Sequence, residues 1–348
     1  MMILSDCLEK KTDEGCLKTA ASLAKRLKES RPSILAVSYG GNSAEAENSA
    51  AHGADIRLHL NRLFLNRELF SMIRREKGQI LYIPFASNTL ASVVRVFVLS
   101  AVSKGRVLVL FALRHPMGRT ARFLLRRSGA KVLALSEQSR HFYEQSGAKQ
   151  VIRLRLGVDT KRFKPADPEE KARLREKYGI AKDARVVLHV GHLKTGRNVR
   201  SLLDVPKGYQ VILVVSSVTA QEESLRDRLE AEKNIRIIDT YIERIEEIYQ
   251  AADIYFFPVS EPEHCIDSPL SVLEAASCGL PVVAAAYEGL TDFLGQPGFA
   301  FLTSFDGEKI SRALEGLTAS DGLKNRRAVM DYDWDKAVLR ILQEEDRQ

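Results

Sequence analysis

The stretch Ser268-Pro269-Leu270-Ser271-Val272-Leu273-Glu274-Ala275-Ala276-Ser277-Cys278-Gly279-Leu280-Pro281-Val282-Val283 holds a helix start, a helix, a helix stop and the beginning of a strand. Ser268 is a candidate N-cap, Pro269 suits the first turn, and Ser271 follows there. Gly279 and Pro281 end the helix, and the apolar run Pro281–Ala285 has the composition of a strand buried on both faces. A helix start of this kind offers free backbone N–H groups to an anion. Glu274 is the one carboxylate in an otherwise apolar helix, and if buried it needs hydrogen-bonding partners. A pair of sugar hydroxyls would serve, so Leu270, Ser271 and Glu274 are candidate ligand contacts.

The same alternation extends outward in both directions. Upstream, Arg185–His189, Tyr209–Val215, Ile235–Ile238 and Ile254–Pro258 read as strands, with helices over Arg197–Leu203, Ala220–Glu232 and Arg244–Ala251. Downstream, Glu308–Leu317 reads as a helix. The first half repeats the pattern, with strands at Ser33–Val37, Gln79–Ile83, Arg106–Phe111 and Lys131–Leu135, and helices at Cys16–Glu29, Asn88–Ser103 and Arg119–Ser128. Strands separated by such helices imply parallel βαβ units. Between the halves, Arg153–Pro165 reads as an extended connector and Asp167–Tyr178 as a charged helix. The fold class expected is α/β, with two doubly wound, Rossmann-like domains and ligands beyond the carboxyl ends of the strands.

A length of 348 residues suits two domains. No signal peptide is recognised at the start, and no apolar stretch reaches the ~20 residues that span a bilayer. Cys7, Cys16, Cys265 and Cys278 lack metal or redox spacing and read as free thiols of a cytoplasmic protein. Residues 1–165 carry 29 Lys and Arg against 13 Asp and Glu, a balance of +16, whereas 166–348 carry 23 against 32, a balance of −9. The first half is therefore expected to attract an anionic partner. No nucleic-acid-binding motif or stacked-aromatic platform accompanies that charge.

A second chemical segment is Gly191-His192-Leu193-Lys194-Thr195-Gly196-Arg197-Asn198, which follows an apolar strand. Glycine permits close backbone approach to a ligand, and arginine offers a rigid fork of donors suited to phosphate. The segment reads as a diphosphate loop or, alternatively, as a solvated basic loop.

Together these segments resemble glycosyltransferase family four, of GT-B fold. Gly191, His192, Leu193 and Arg197 are similar to its "G-R-L…K" loop, with both cations changed conservatively. Residues 248–258 resemble its approach to a strand ending in proline. Glu274 to Val283 resembles "L-E-A-M-A-x-G-x-P-V-V", and Gly289-Leu290-Thr291-Asp292 resembles "G-G-x-x-E". Gly157-Val158-Asp159-Thr160-Lys161-Arg162-Phe163-Lys164-Pro165 resembles the family's linker, and Asp333-Trp334 the start of a helix that crosses back to the first domain. The family's first glutamate position falls on Ile266, with Asp267 as the adjacent carboxylate. In the first domain Gly15 stands where the family carries a glycine pair, near Lys10, Lys11 and Lys18. Ser136-Glu137-Gln138-Ser139 resembles the family's "S-x-x-S".

The resemblance implies domains at 1–165 and 166–330, facing each other across a cleft, and a returning helix at 331–348. It implies a retaining, metal-independent transferase, of hexosyl groups by expectation, using a nucleotide sugar as co-substrate and no other cofactor. Glu274 would meet the ribose, and His192 and Arg197 the diphosphate, with Gly191, Asn198, Ser268, Leu270 and Ser271 around them. Tyr241 would flank the base. Asp267 and His115 are the catalytic candidates, and Gly15 with Lys18 would form an acceptor or phosphate loop. The helix with Arg119, Arg122, Arg126 and Arg127 has the character of one lying on an anionic membrane. That suits a lipid-linked or cell-envelope acceptor at the inner face of the membrane. The alternative is a catalytically inactive scaffold of the same fold that binds nucleotide sugar.

Overall fold

A computed structural model describes residues 1–8, 14–39, 54–215 and 221–346. Lys10 and Lys11 lie outside the described residues.

The chain divides into two compact units. Unit 1 comprises Met1–Leu156, Ile266–Ser268 and Trp334–Gln348, and unit 2 comprises Gly157–Cys265 and Pro269–Asp333. The first boundary thus falls before the 157–165 linker rather than after it. The Val158 N–H donates to the Tyr332 carbonyl, and the Thr160 N–H and hydroxyl donate to the Asp333 carboxylate, which ties the linker into unit 2.

Unit 1 contains β1 (Met2–Ser5), α1 (Gly15–Ser30), β2 (Leu35–Tyr39), β3 (Ile56–Leu58), α2 (Arg67–Arg75), β4 (Ile80–Ile83), α3 (Leu90–Ser103) and β5 (Val107–Leu110). It continues through α4 (Arg119–Ser128), β6 (Lys131–Ala134), α5 (Glu137–Gln145) and β7 (Gln150–Arg153). The described strands form one sheet of order β3-β2-β1-β4-β5-β6-β7, all parallel. Every residue of β4 and β5 is buried, as apolar strands covered by helices on both faces must be.

Unit 2 contains α6 (Pro168–Lys177), β8 (Arg185–Gly191), β9 (Tyr209–Val215), α7 (Glu223–Glu230), β10 (Ile235–Ile238), α8 (Ile245–Ala251) and β11 (Ile254–Phe257). It ends with α9 (Leu270–Ser277), β12 (Val282–Ala285), β13 (Phe299–Leu302), α10 (Gly307–Gly316) and α11 (Ala319–Val329); α12 (Trp334–Asp346) belongs to unit 1. Its sheet has the order β10-β9-β8-β11-β12-β13, again all parallel. Strand order reverses between β1 and β4 in one unit and between β8 and β11 in the other. Crevices at such points receive ligands in doubly wound sheets.

Local signals explain most element ends. Asn66, Ser136, Asp167 and Asp306 cap their helices through side-chain oxygens, and Thr318 makes a capping box with Asp321. Gly279 adopts φ +77° and turns the chain from α9 toward β12. Two expectations need correction. Arg197–Leu203 is not one α-helix but two 3-10 turns, Thr195–Arg197 and Val199–Asp204, because Asn198 between them is left-handed at φ +54°. The helix expected to begin at Ala220 begins at Glu223.

Candidate functional site

The site in unit 2 is assembled at the strand-order reversal. β8 ends at Gly191 and delivers His192 into the following loop. On the neighbouring strand β11, the Tyr255 hydroxyl donates to the Val190 carbonyl at 3.2 Å and is hydrogen-bonded to Ser271. One buried phenol therefore links the end of β8 to the first turn of α9. Burial pushes its ionisation above the usual tyrosine value.

The start of α9 differs from the expected cap. Pro269 is the N-cap residue and no side chain caps the helix. Ser268 is not the cap, because its hydroxyl donates to the Leu156 carbonyl at 2.8 Å within unit 1. The uncapped first turn, with Leu270 and Ser271, leaves the dipole's positive end available to an anion. Glu274, one turn further, is buried, and its Oε2 accepts from the Tyr249 hydroxyl of α8 at 3.0 Å. Burial, and then the Glu274 charge, push the Tyr249 phenol well above its usual value. Tyr249 thus stays a hydrogen-bond donor to the carboxylate.

The loop after β8 is tightly determined. Arg197 is buried, and its Nη1 donates to the His264 carbonyl at 2.5 Å. The Asn198 amide reaches the Pro258 carbonyl beyond β11 at 3.4 Å. Gly196 lies against the His264 ring, where a Cβ would meet Nε2 at 2.5 Å. Glu222 holds Thr195, accepting from its N–H at 2.9 Å and from its hydroxyl, which keeps the Glu222 carboxyl below its ordinary range. His189, Glu222, Tyr249, Tyr255 and His264 were missed from sequence. All but Glu222 sit on or beside the strands and turns flanking the singled-out motifs, and no spacing rule connects them to those motifs. Tyr241 follows β10 and is 74% exposed. Asp292 lies in a 3-10 turn, Glu288–Phe293, and accepts from the Tyr332 hydroxyl.

Asp267 and His115 are placed in unit 1. Asp267 is buried, and its N–H donates at 3.0 Å to Ala112 in the loop that carries His115. That loop is held by Asn88, which accepts from the His115 N–H and donates to its carbonyl. Ile266 packs on Gly15, where a Cβ would meet Ile266 Cδ1 at 3.2 Å. Gly15 opens α1 at the expected acceptor or phosphate loop. The Glu14 carboxylate caps α1, accepting from Cys16 N at 2.9 Å and Leu17 N at 3.2 Å, and so holds N–H groups that an anion would need. Lys18 is half-buried one turn along.

On α4, Arg119, Arg122, Arg126 and Arg127 are exposed and make no ion pair among the described residues, and Arg127 lies over the ring of Phe123, which is 58% exposed; Ala121 and Leu125 face the core. Among the described residues no helix is long and apolar enough to cross a membrane, and no group of three His, Cys, Asp or Glu side chains is arranged to hold a metal ion. The four cysteines are buried free thiols.

The chain compares over its full length with Anabaena Alr3699/HepE, solved in complex with UDP, at a TM-score of 0.77 and 17% identity, covering 100% of this chain and 99% of that one. The fold is that of the GT-B glycosyltransferases. Residues 170–332 match the family model described as glycosyl transferases group 1, which spans most of unit 2. The D-inositol 3-phosphate glycosyltransferase of Xylanimonas cellulosilytica is 26% identical over 207 residues, 53% of this chain and 48% of that protein. The GDP-mannose-dependent monoacylated alpha-(1-6)-phosphatidylinositol monomannoside mannosyltransferase of Corynebacterium glutamicum is 27% identical over 215 residues, 55% of each. The chain thus spans about half the length of the curated relatives it matches. The family match coincides with the unit that holds Gly191, Arg197 and Glu274.

Proposed function

We propose that this protein is a retaining, metal-independent glycosyltransferase that takes a sugar from a nucleoside-diphosphate sugar. The observation that carries the reading is the convergence at one sheet crevice of an uncapped helix start, a buried carboxylate at Glu274 and the loop bearing His192 and Arg197. Each supplies what one part of such a donor needs. Glu274 accepts hydrogen bonds from the ribose hydroxyls, with Tyr249 holding its second interaction. The N–H groups of Leu270 and Ser271, with His192 and Arg197, meet the diphosphate. Negative charge grows on that diphosphate as the glycosidic bond breaks, and fixed donors there lower the barrier. Asp267 and His115 serve the sugar and acceptor side. The match to glycosyl transferases group 1 and the UDP complex of a protein with the same fold support this reading.

The acceptor belongs with the basic unit 1. The exposed arginines and Phe123 of α4 suit an anionic bilayer surface, and hence a lipid-linked acceptor used by a cytoplasmic enzyme at the inner face of the membrane. Vesicles with and without anionic lipid test that contact, and equal binding to neutral vesicles refutes it.

The donor assignment is tested by thermal stabilisation with UDP, GDP, ADP and their sugars, with EDTA present. A ligand at a hundredfold excess over its Kd stabilises by about 2.7 kcal/mol. Glu274→Ala is expected to weaken that ligand by about 1.5–3 kcal/mol, the range for hydrogen bonds to charged groups. Undiminished affinity in a folded Glu274→Ala protein removes the ribose assignment. No stabilisation by any nucleotide removes the donor site altogether.

A further inference from the structure

Beneath the loop that carries Arg197 lies a histidine to which the sequence motifs give no role. His189 is on β8 with its side chain fully buried. Its Nδ1 is 2.8 Å from the Phe256 carbonyl of β11. A carbonyl only accepts, so the proton of the neutral ring sits on Nδ1 and Nε2 is a bare lone pair. Among the described residues Nε2 has no hydrogen-bond partner. It points at the space over Gly191, where a Cβ would meet it at 2.9 Å and would meet Arg197 Nη2 at 3.1 Å. The imidazole and the guanidinium therefore flank the same glycine.

We propose that His189 is a positioning residue of the donor site: a neutral imidazole, protonated on Nδ1, that backs Gly191 and offers the Arg197 guanidinium an acceptor to settle on when the donor's diphosphate binds. This rests on the donor-site reading above. Arg197 is fixed at one end by the His264 carbonyl, and among the described residues its Nε has no acceptor. Nε2 and the Arg197 Nη2 both approach the space over Gly191, and among the described residues no hydrogen bond joins them. A phosphate oxygen is itself an acceptor and is repelled by that lone pair, so the phosphate is left to the guanidinium. Glycine at 191 is required because any side chain would fill the space between the two nitrogens. The groups facing the ring are Arg197 and His192 from the loop, the Phe256 carbonyl, and Tyr255, whose ring stacks at 6.4 Å. None is an anion that would favour an imidazolium. Burial, reinforced by Arg197 and His192, holds the ring's pKa down to about 4. Protonation would set a second buried cation beside Arg197 and displace it.

Two measurements separate this role from the donor reading. Long-range proton–nitrogen correlation spectra of the 15N-histidine-labelled protein, assigned by loss of the signal in His189→Gln, are expected to show Nδ1 protonated and Nε2 bare from pH 7.5 down to pH 5. A proton on Nε2, or titration near pH 6.5, overturns the proposal without touching the donor site. UDP binding is then followed calorimetrically from pH 7.5 to pH 4.5. His189→Gln, which keeps an acceptor and cannot ionise, is expected to bind within about threefold of wild type at pH 7.5 and to lose less affinity on acidification. His189→Phe, which keeps a ring but no acceptor, is expected to bind at least tenfold more weakly while unfolding with a single sharp transition. Equal UDP affinity in His189→Phe and wild type refutes the positioning role. Absence of UDP, GDP and ADP binding in wild type refutes the donor reading and, with it, this role.

Discussion

Acid should destabilise unit 2 through His189 by an amount that can be worked out. In the unfolded chain the imidazole titrates near 6.5, and in the folded protein burial lowers this to about 4. Above pH 6.5 both states are neutral there and the site contributes no pH dependence. Between 6.5 and 4 the unfolded state binds the proton and the folded state does not, so stability falls as pH falls. The slope approaches 1.36 kcal/mol per pH unit, and the total below pH 4 is about 3 kcal/mol. His189→Phe removes this dependence. It also removes the hydrogen bond to Phe256, a roughly constant loss of about 1 kcal/mol. Wild type should therefore be more stable at pH 7.5, equal roughly one unit below pH 6.5, and less stable than the variant near pH 4.

Urea unfolding at half-unit pH steps measures this difference. Trp334, the one tryptophan, lies in α12 of unit 1, so its fluorescence follows unit 1, whereas far-UV circular dichroism follows both units. The crossing should appear in the dichroism. Acid titration of carboxylates shared by both proteins cancels in the difference. A gap between wild type and His189→Phe that stays constant from pH 7.5 to 4 refutes the argument, because it means the imidazole is protonated at no cost in the fold.

Two further substitutions probe packing. Gly322 of α11 lies directly on the turn after α9, where a Cβ would sit 2.7 Å from both Pro281 N and Pro281 Cδ and closer still to the Gly279 carbonyl. Gly322→Ala should cost about 1–3 kcal/mol, as overpacking of rigid backbone does, and appear as a lowered urea midpoint. Ile266→Glu restores a carboxylate at the family's first glutamate position but buries it where Ile266 now packs on Gly15. It should lower the melting temperature and leave UDP-glucose affinity unimproved; tighter binding at unchanged stability would show that the position still faces the sugar.

Much of unit 2 was legible because its strands are apolar runs broken by glycine and proline. Arg185–His189, Tyr209–Val215, Ile235–Ile238 and Pro281–Ala285 all fall on strands. The central strand of unit 1, Met2–Ser5, is four residues long at the start of the chain and has no flanking turn to mark it. β3, β7 and β13 are edge strands of three or four residues, mostly only partly buried, and too short for their few apolar residues to set them apart. Glu274 could be singled out because a carboxylate in an apolar helix is anomalous. Its partner Tyr249 could not, since a tyrosine in a helix is ordinary and the two are joined only by packing of α8 against α9. The cap of α9 was misjudged because serine before proline usually serves its own helix, and here Ser268 is turned to Leu156 instead.

That misjudged cap and the substituted glutamate have one physical origin. Ile266, Asp267 and Ser268 are held by unit 1, while the helix that follows them belongs to unit 2. Each of the three makes an interaction within unit 1: Ile266 against Gly15, the Asp267 N–H on Ala112, and the Ser268 hydroxyl on Leu156. A segment anchored this way cannot also cap α9, which leaves the helix start open. An apolar anchor at 266 also needs no buried counter-ion, whereas a carboxylate there would. The isoleucine is thus consistent with a local trade in which the segment's placement is secured by packing.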